Sequence, residues 1–276
     1  MIKIPKILII FLKKIKLYVF LKHIYYKNLK FLKLIKNNTE NNLFSIFLNM
    51  NDDFQFIDIG VFKGSKIDCL LNINPYARII GIEAFTDYYD NLKKKYKGNK
   101  NIKLLNYAIS NRNNISSFYF NNKKIDKEAF SLKKNYKLNK IQKIKCRTLD
   151  KILNNKSASI IKIDTEGSEY DILKSSKKII LYNKPALFVE TTEKTFKNVV
   201  KLLKKYNYYI YIYEKYIFKK KLSNNWKKGN VISDDEFDNK LYEASKFKNI
   251  KNSFMFNIIA IPKEKKKLLN KFKIIQ

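Results

Sequence analysis

From residue 54 onward the chain alternates short apolar runs with helical stretches, and that alternation limits the architectures open to it. "FQFIDIG" (54–60) reads as a strand and is followed by a helix from Gly64 to about Asn72. "RIIGIEA" (78–84) is a second strand, followed by the helix "TDYYDNLKKKY" (86–96), and "IKLLNYAI" (102–109) is a third strand. "SSFYF" (116–120) and "QKIKC" (142–146) read as an extra hairpin, and "LDKIL" (149–153) as a short helix. "SIIKID" (159–164) leads into a helix from about Glu166 to Leu181, and "ALFVET" (186–191) into the helix "EKTFKNVVKLLKKY" (193–206). "YYIYIYE" (208–214) and "SFMFNIIAIP" (253–262) close the pattern. Runs that are apolar throughout, rather than every second residue, suit strands buried on both faces. Repetition of strand and helix therefore predicts a doubly wound, mostly parallel α/β sheet with helices on both sides. No apolar helix of clear period separates the last two strands, so the final strand is expected to run antiparallel.

The rest of the chain divides around that core. Residues 1–39 carry ten lysines and no acid before Glu40. At 100° per residue those lysines gather on one half of the circle up to residue 16 and on a different half from residue 22. Two basic amphipathic helices with a break near residue 22 are expected. They either lie in the plane of an anionic membrane surface or dock on the main domain or a second subunit. The apolar runs there are too short to span a bilayer, and no small-residue cleavage site follows them. The expected division is a helical extension and linker over 1–48, the main domain over 49–262 and a basic tail over 263–276. Within the main domain, residues 215–252 form a polar insert, read as either a surface excursion or, in preference, a cover over the site.

Charge and composition remove several function classes. The formal net charge is +34, but only three of the 58 basic residues are arginine: Arg78, Arg112 and Arg147. A surface built to grip phosphates is expected to use the planar arginine fork more often. Lysine-rich, isoleucine- and asparagine-rich usage also follows from AT-rich codons, so a nucleic-acid partner is not the preferred reading. His23 is the single histidine and lies in the extension. That argues against a Ser-His-Asp hydrolase, a His-ligated metal site and a Cys-His protease, and leaves a carboxylate, Lys or Tyr as general base. Cys69 and Cys146 sit in no pairing motif, which fits a reducing, cytoplasmic compartment, with the inner membrane surface as the place the extension would reach.

In doubly wound sheets, ligands bind beyond the carboxyl ends of the strands. The first strand ends "DIGVFKGS", where Gly60 and Gly64 free the backbone for a tight turn and a close ligand. The spacing is GxxxG, not the GxGxxG of a dinucleotide site, and no GxxxxGK[ST] phosphate loop is present. Glu83 ends the second strand, 25 residues after Asp58, where a carboxylate can accept from both ribose hydroxyls. Asn106 offers an amide to an adenine edge, and Ala108 leaves room for the ring. Asp164 ends the fourth strand. Together these ends suit a ribose and adenine without a pyrophosphate, and S-adenosylmethionine meets that description; its ammonium suits Asp58 or Asp164.

In that order and spacing, "FIDIGVFKGS", "GIEAF", "NYAIS", "RTLDKIL", "IIKIDTEGSEYDIL" and "ALFVE" resemble the FkbM-type family of class I S-adenosylmethionine-dependent methyltransferases. The resemblance covers about residues 54–214, with "FNIIAIP" as the closing strand. It implies a Rossmann-like, seven-stranded sheet with an antiparallel last strand. It also implies methyl transfer, usually to a hydroxyl of a sugar or other small metabolite. Asp58, Gly60 and Gly64 would line the methionine side, Glu83 with Ala84 the ribose, and Asn106 and Ala108 the adenine. Asp164 and Glu166 would face the reacting centre. The family often has Asn in the glycine loop, where this chain has Val61-Phe62.

For the base, Glu166 stands first, with Asp164 and Glu190 behind it. The same three carboxylates could hold a hard cation, but no metal is expected. Glu169 and Asp171 fit the first turn of the following helix, with Ser168 and Asp171 matching a capping box. A ribose methyltransferase acting on RNA, and a membrane-surface or partner-binding protein on an inactive scaffold, are the alternatives.

Overall fold

A computed structural model describes residues 43, 44, 47, 55–120, 130–131, 140–154, 157–165, 167–217, 240–245, 253–270 and 272–275. The main sheet begins with β1 (Gln55–Ile59), β2 (Arg78–Ile82) and β3 (Ile102–Leu105). It continues with β8 (Ile160–Ile163), β9 (Ala186–Thr192), β10 (Tyr208–Ile217) and β12 (Ser253–Pro262). Their spatial order is β3-β2-β1-β8-β9-β12-β10. β12 runs antiparallel to both of its neighbours, and the other pairings among these seven strands are parallel. The expected antiparallel closing strand is therefore present.

Among the described residues the sheet has nine strands, two beyond the seven expected. β11 (Lys240–Glu243) pairs antiparallel with β10, and β13 (Lys273–Ile275) pairs parallel with β11. Part of the 215–252 insert and part of the 263–276 tail thus extend the sheet edge. A 3-10 helix over Lys263–Leu269 leads into β13 and buries Leu269. Polar and lysine-rich composition concealed a few apolar residues, Leu241 and Phe272 among them, that are enough to seat the segment. The remainder of the insert lies outside the described residues.

Helices that flank the sheet among the described residues are α1 (Ser65–Ile73), α2 (Thr86–Lys95), α3 (Leu149–Leu153), α4 (Glu169–Ser175), α5 (Lys177–Asn183) and α6 (Glu193–Lys205). Strand side chains alternate between two core layers. Ile57, Ile59, Ile161 and Ile163 pack with α3 to α6, while Phe56, Ile79 and Phe188 pack with α1 and α2. Burying each of these side chains contributes roughly 1.5–3 kcal/mol. Leu43, Phe44 and Phe47 join the second layer, and the Phe44 and Phe188 rings lie 4.5 Å apart. The end of the segment read as extension and linker is thus core. Residues 1–42, and with them the two expected basic helices, lie outside the described residues.

The helix expected from 166 to 181 is two helices. Ser176 is buried between them, and its hydroxyl donates to the Ile172 carbonyl at 2.6 Å, a local bond that competes with helix continuation. The extra hairpin is present as a second sheet: β5 (Ile115–Phe120) pairs antiparallel with β7 (Lys140–Arg147), flanked by β4 (Ala108–Ile109) and β6 (Phe130–Ser131).

The "RTLD" stretch is explained by architecture. Thr148 Oγ1 accepts from the Lys151 amide at the start of α3. The Asp150 carboxylate accepts from the Lys178 and Ile179 amides at the start of α5. One motif therefore caps two helices, each cap worth about 1 kcal/mol.

Candidate active site

Each parallel strand delivers its last residues to the same edge of the sheet, and a cavity of about 240 Å³ opens there. Gly60 and Phe62 reach it after β1, Glu83 and Ala84 after β2, Tyr107 between β3 and β4, and Ala108 at the start of β4. Asp164 and Thr165 reach it after β8, Glu190 within β9, and Phe118 from the β5–β7 hairpin. Among the described lining residues there are three carboxylates and no lysine or arginine. In a chain of net charge +34 that is a local reversal of sign.

Gly60 is required by contact. Its φ is +85°, and a Cβ there would lie 1.8 Å from the carbonyl oxygen of Asp164. The β1 and β8 ends approach this closely because the Asp164 amide donates to the Ile59 carbonyl at 3.0 Å. Gly64 has a different task. It stands at the start of α1 with φ +82°, where a Cβ would meet the Tyr96 hydroxyl at 2.3 Å, and it does not line the cavity.

Glu83 organises the rim. Its Oε2 accepts from the Phe62 amide at 2.8 Å and its Oε1 from the Phe85 amide at 2.9 Å. It is buried, and burial raises its carboxyl pKa while those amides pull it down. The Phe62 contact holds a left-handed residue (φ +54°) in place, a conformation that Asn or Gly adopts more easily. The Phe62 ring packs edge-on against Tyr88 at 4.7 Å, and Tyr88 against Phe85 at 5.4 Å. Ala84 and Ala108 lie in a small apolar cluster with Phe118 and Phe85.

Two expected ligand contacts are placed elsewhere. Asn106 does not line the cavity; its amide donates to the Glu83 and Ala84 carbonyls at 2.9 and 3.1 Å and so fixes the turn after β2. Asp58 is 1% exposed and lies beneath the cavity rather than on its wall. Neither of its carboxylate oxygens has a hydrogen-bond partner among the described residues. Burial pushes its pKa up to about 6, against the opposing pull of Lys162. Lys162 is its register partner on β8, with Nζ 3.8 Å from Asp58 Oδ1 and 2.8 Å from Asp164 Oδ2.

Sequence reasoning passed over Lys162, although a lysine inside "IIKID" is itself a signal. A cation in a strand buried on both faces requires an anionic partner. The aromatic residues of the wall were also missed, because ring positions on separate loops carry no spacing.

Glu169 is buried rather than displayed on the first turn of α4. Its Oε1 accepts from the Thr165 amide and hydroxyl, at 3.3 and 3.1 Å, and from the Gly167 amide at 2.8 Å. Its Oε2 has no partner among the described residues, and burial raises its pKa. It therefore ties down the loop that carries Asp164 to the helix. Ser168 makes no side-chain cap, so the expected capping box with Asp171 is not formed. Glu166 lies outside the described residues. Among the described residues, no three His, Cys, Asp or Glu side chains gather as a metal site.

A profile of the methyltransferase FkbM domain matches residues 58–210. A comparison with curated proteins found no match. Among solved structures, the chain is similar to a precorrin-6Y C5,15-methyltransferase from Geobacter metallireducens, with 14% identity, 83% of this chain and 90% of that chain covered, and a TM-score of 0.45. It is also similar to an FkbM methyltransferase from Methylobacillus flagellatus, with 19% identity, 58% of this chain and 39% of that chain covered, and a TM-score of 0.41. A third is fibrillarin from Aeropyrum pernix with natively bound S-adenosyl-L-methionine, with 9% identity, 79% and 74% covered, and a TM-score of 0.40.

Proposed function

The chain belongs to the FkbM methyltransferase family, and on that premise we propose that it methylates a hydroxyl oxygen of a sugar, glycan or other small metabolite with S-adenosylmethionine as donor. The observation that carries this reading is the carboxylate-lined cavity at the strand ends. Glu83, Asp164 and Glu190 surround it with no described cation on its wall. A sulfonium and an ammonium are favoured where the local charge is negative. Ala108 leaves open space beside an apolar wall for a planar base, and the Glu83 carboxylate keeps acceptor capacity for a ribose hydroxyl beyond the backbone amides it binds. The residues present therefore fit the cofactor.

Bound S-adenosylmethionine supplies an electrophilic methyl group. The chain's own groups supply position and a proton acceptor. Backbone amides at Phe62 and Phe85 fix Glu83, and the Asn106 amide fixes the turn that carries it. Phe62, Tyr88 and Phe118 line the cavity with aromatic rings, an apolar surrounding that would suit an in-line displacement dependent on alignment and desolvation. A carboxylate of the chain would take the acceptor's hydroxyl proton. Glu166 is the first candidate for this base, with Asp164 and Glu190, which line the cavity, behind it.

The test is incubation of the full chain with methyl-labelled S-adenosylmethionine and three acceptor pools: neutral oligosaccharides, small hydroxylated metabolites and RNA. Label in an alkali-stable ether of the first or second pool supports the reading. Label confined to RNA supports the ribose methyltransferase instead. No label in any pool, with cofactor bound, supports the inactive scaffold. Among the described residues no helix is long and apolar enough to cross a membrane. A surface contact by residues 1–36 is tested by flotation with anionic vesicles.

A further inference from the structure

Lys162 is difficult to explain by stability. It sits in β8 between Ile161 and Ile163, and all three residues are buried. A buried ion pair recovers its desolvation cost only with good geometry, and an apolar residue of similar volume is often as stable. The geometry here is unequal. The 2.8 Å bond goes to Asp164, and the 3.8 Å contact goes to Asp58, which has no hydrogen bond among the described residues. Lys162 and Asp164 are two residues apart, so their side chains share a sheet face and the lysine reaches up the strand toward the cavity. Asp164 commits Oδ2 to this lysine, and its side chain remains 32% exposed, on the cavity wall.

We propose that Lys162 is a positioning residue: it pins Oδ2 of Asp164 so that Oδ1 receives the ammonium of the cofactor's amino-acid tail, with Asp58 as the buried counter-charge that holds the lysine in place. Two carboxylates and one ammonium leave the group with one net negative charge, which the incoming cation balances. Asp58 then contributes to cofactor binding without touching the cofactor. This rests on the reading that the cavity takes S-adenosylmethionine.

The test separates the tail from the nucleoside. Calorimetry on the full chain compares S-adenosylmethionine, S-adenosylhomocysteine and 5′-methylthioadenosine, which lacks the amino-acid tail. Lys162→Met should weaken the first two by about tenfold or more, the size expected for losing a positioned charge-assisted hydrogen bond. Binding of 5′-methylthioadenosine should be unchanged, which also reports an intact fold. Asp58→Asn, isosteric and neutral, should show the same split to a smaller extent, and it carries the test alone if Lys162→Met does not fold. Equal weakening of all three ligands, or wild-type binding of all three, overturns the proposal. Failure of the wild type to bind any of the three overturns the cofactor reading itself, and the proposal with it.

Discussion

Gly60 and Asp164 touch across the mouth of the sheet: a Cβ on the glycine would lie 1.8 Å from the aspartate's carbonyl oxygen. The neighbour is backbone, held by the Asp164 amide's bond to Ile59, so no side chain can rotate away. Gly60→Ala must part β1 from β8 or distort the turn. Gly98 is the control, with φ +81° and nothing within 4 Å of where a Cβ would sit. Urea unfolding should show Gly98→Ala costing about 1 kcal/mol, the left-handed strain alone. Gly60→Ala should cost about 3 kcal/mol or more and abolish cofactor binding. Equal costs would show that the close approach is unimportant.

Glu83→Gln separates charge from shape. One of the two carboxylate oxygens becomes an amino group that faces the Phe62 or Phe85 amide, donor against donor. The expected loss is about 1–3 kcal/mol of stability. The loss of cofactor affinity should be larger than that of a wall substitution such as Tyr88→Leu. Thermal melts and calorimetry on the two variants check this.

Glu169 predicts a different ranking. Glu169→Gln keeps Oε1 and its three donors from Thr165 and Gly167, whereas Glu169→Ala strands the Gly167 amide and frees the loop. Turnover should survive largely in the first variant and fall at least about tenfold in the second, as expected when a positioned group is misplaced. Steady-state rates on the pair decide it.

The buried carboxyls also fix a pH dependence. Burial raises the pKa of Asp58 from 3.8 to about 6, and raises Glu83 and Glu169 in the same direction. A raised acid pKa means that the folded state binds the proton more tightly than the unfolded chain. Its contribution favours folding below the unfolded value and is lost as pH rises through the folded value. For Asp58 the change is about 3 kcal/mol. Unfolding free energies measured from pH 4 to pH 7 should therefore contain a component that falls with rising pH, and Asp58→Asn should remove the Asp58 share.

Much of the fold is legible in the sequence because the signals are local. "ALFVET" and "LDKIL" fall on β9 and α3 nearly to the residue, since each carries its own periodicity and is bounded by a turn or cap. The seat of Leu241 depends on β11 pairing with β10 across a long insert, and that of Phe272 on β13 joining β11, relations that no window along the chain contains. At the site, Gly60, Glu83, Ala84, Ala108, Asp164 and Glu190 converge on one cavity, as strand ends of a parallel sheet must. Asn106 and Gly64 have structural tasks set by partners 22 to 32 residues away, the Ala84 carbonyl and the Tyr96 hydroxyl. The division of labour between Asp58 and Lys162 comes from the register of β1 against β8, which spacing alone does not encode.

The central claim is that the cavity at the ends of β1, β2 and β8 holds the cofactor. A crystal structure of the full chain with S-adenosylhomocysteine tests it most directly. The ligand is expected in that cavity, with ribose hydroxyls on Glu83, the base beside Ala108 and the ammonium on Asp164. A ligand bound elsewhere, or bound there with Glu83 turned away from the ribose, would contradict it.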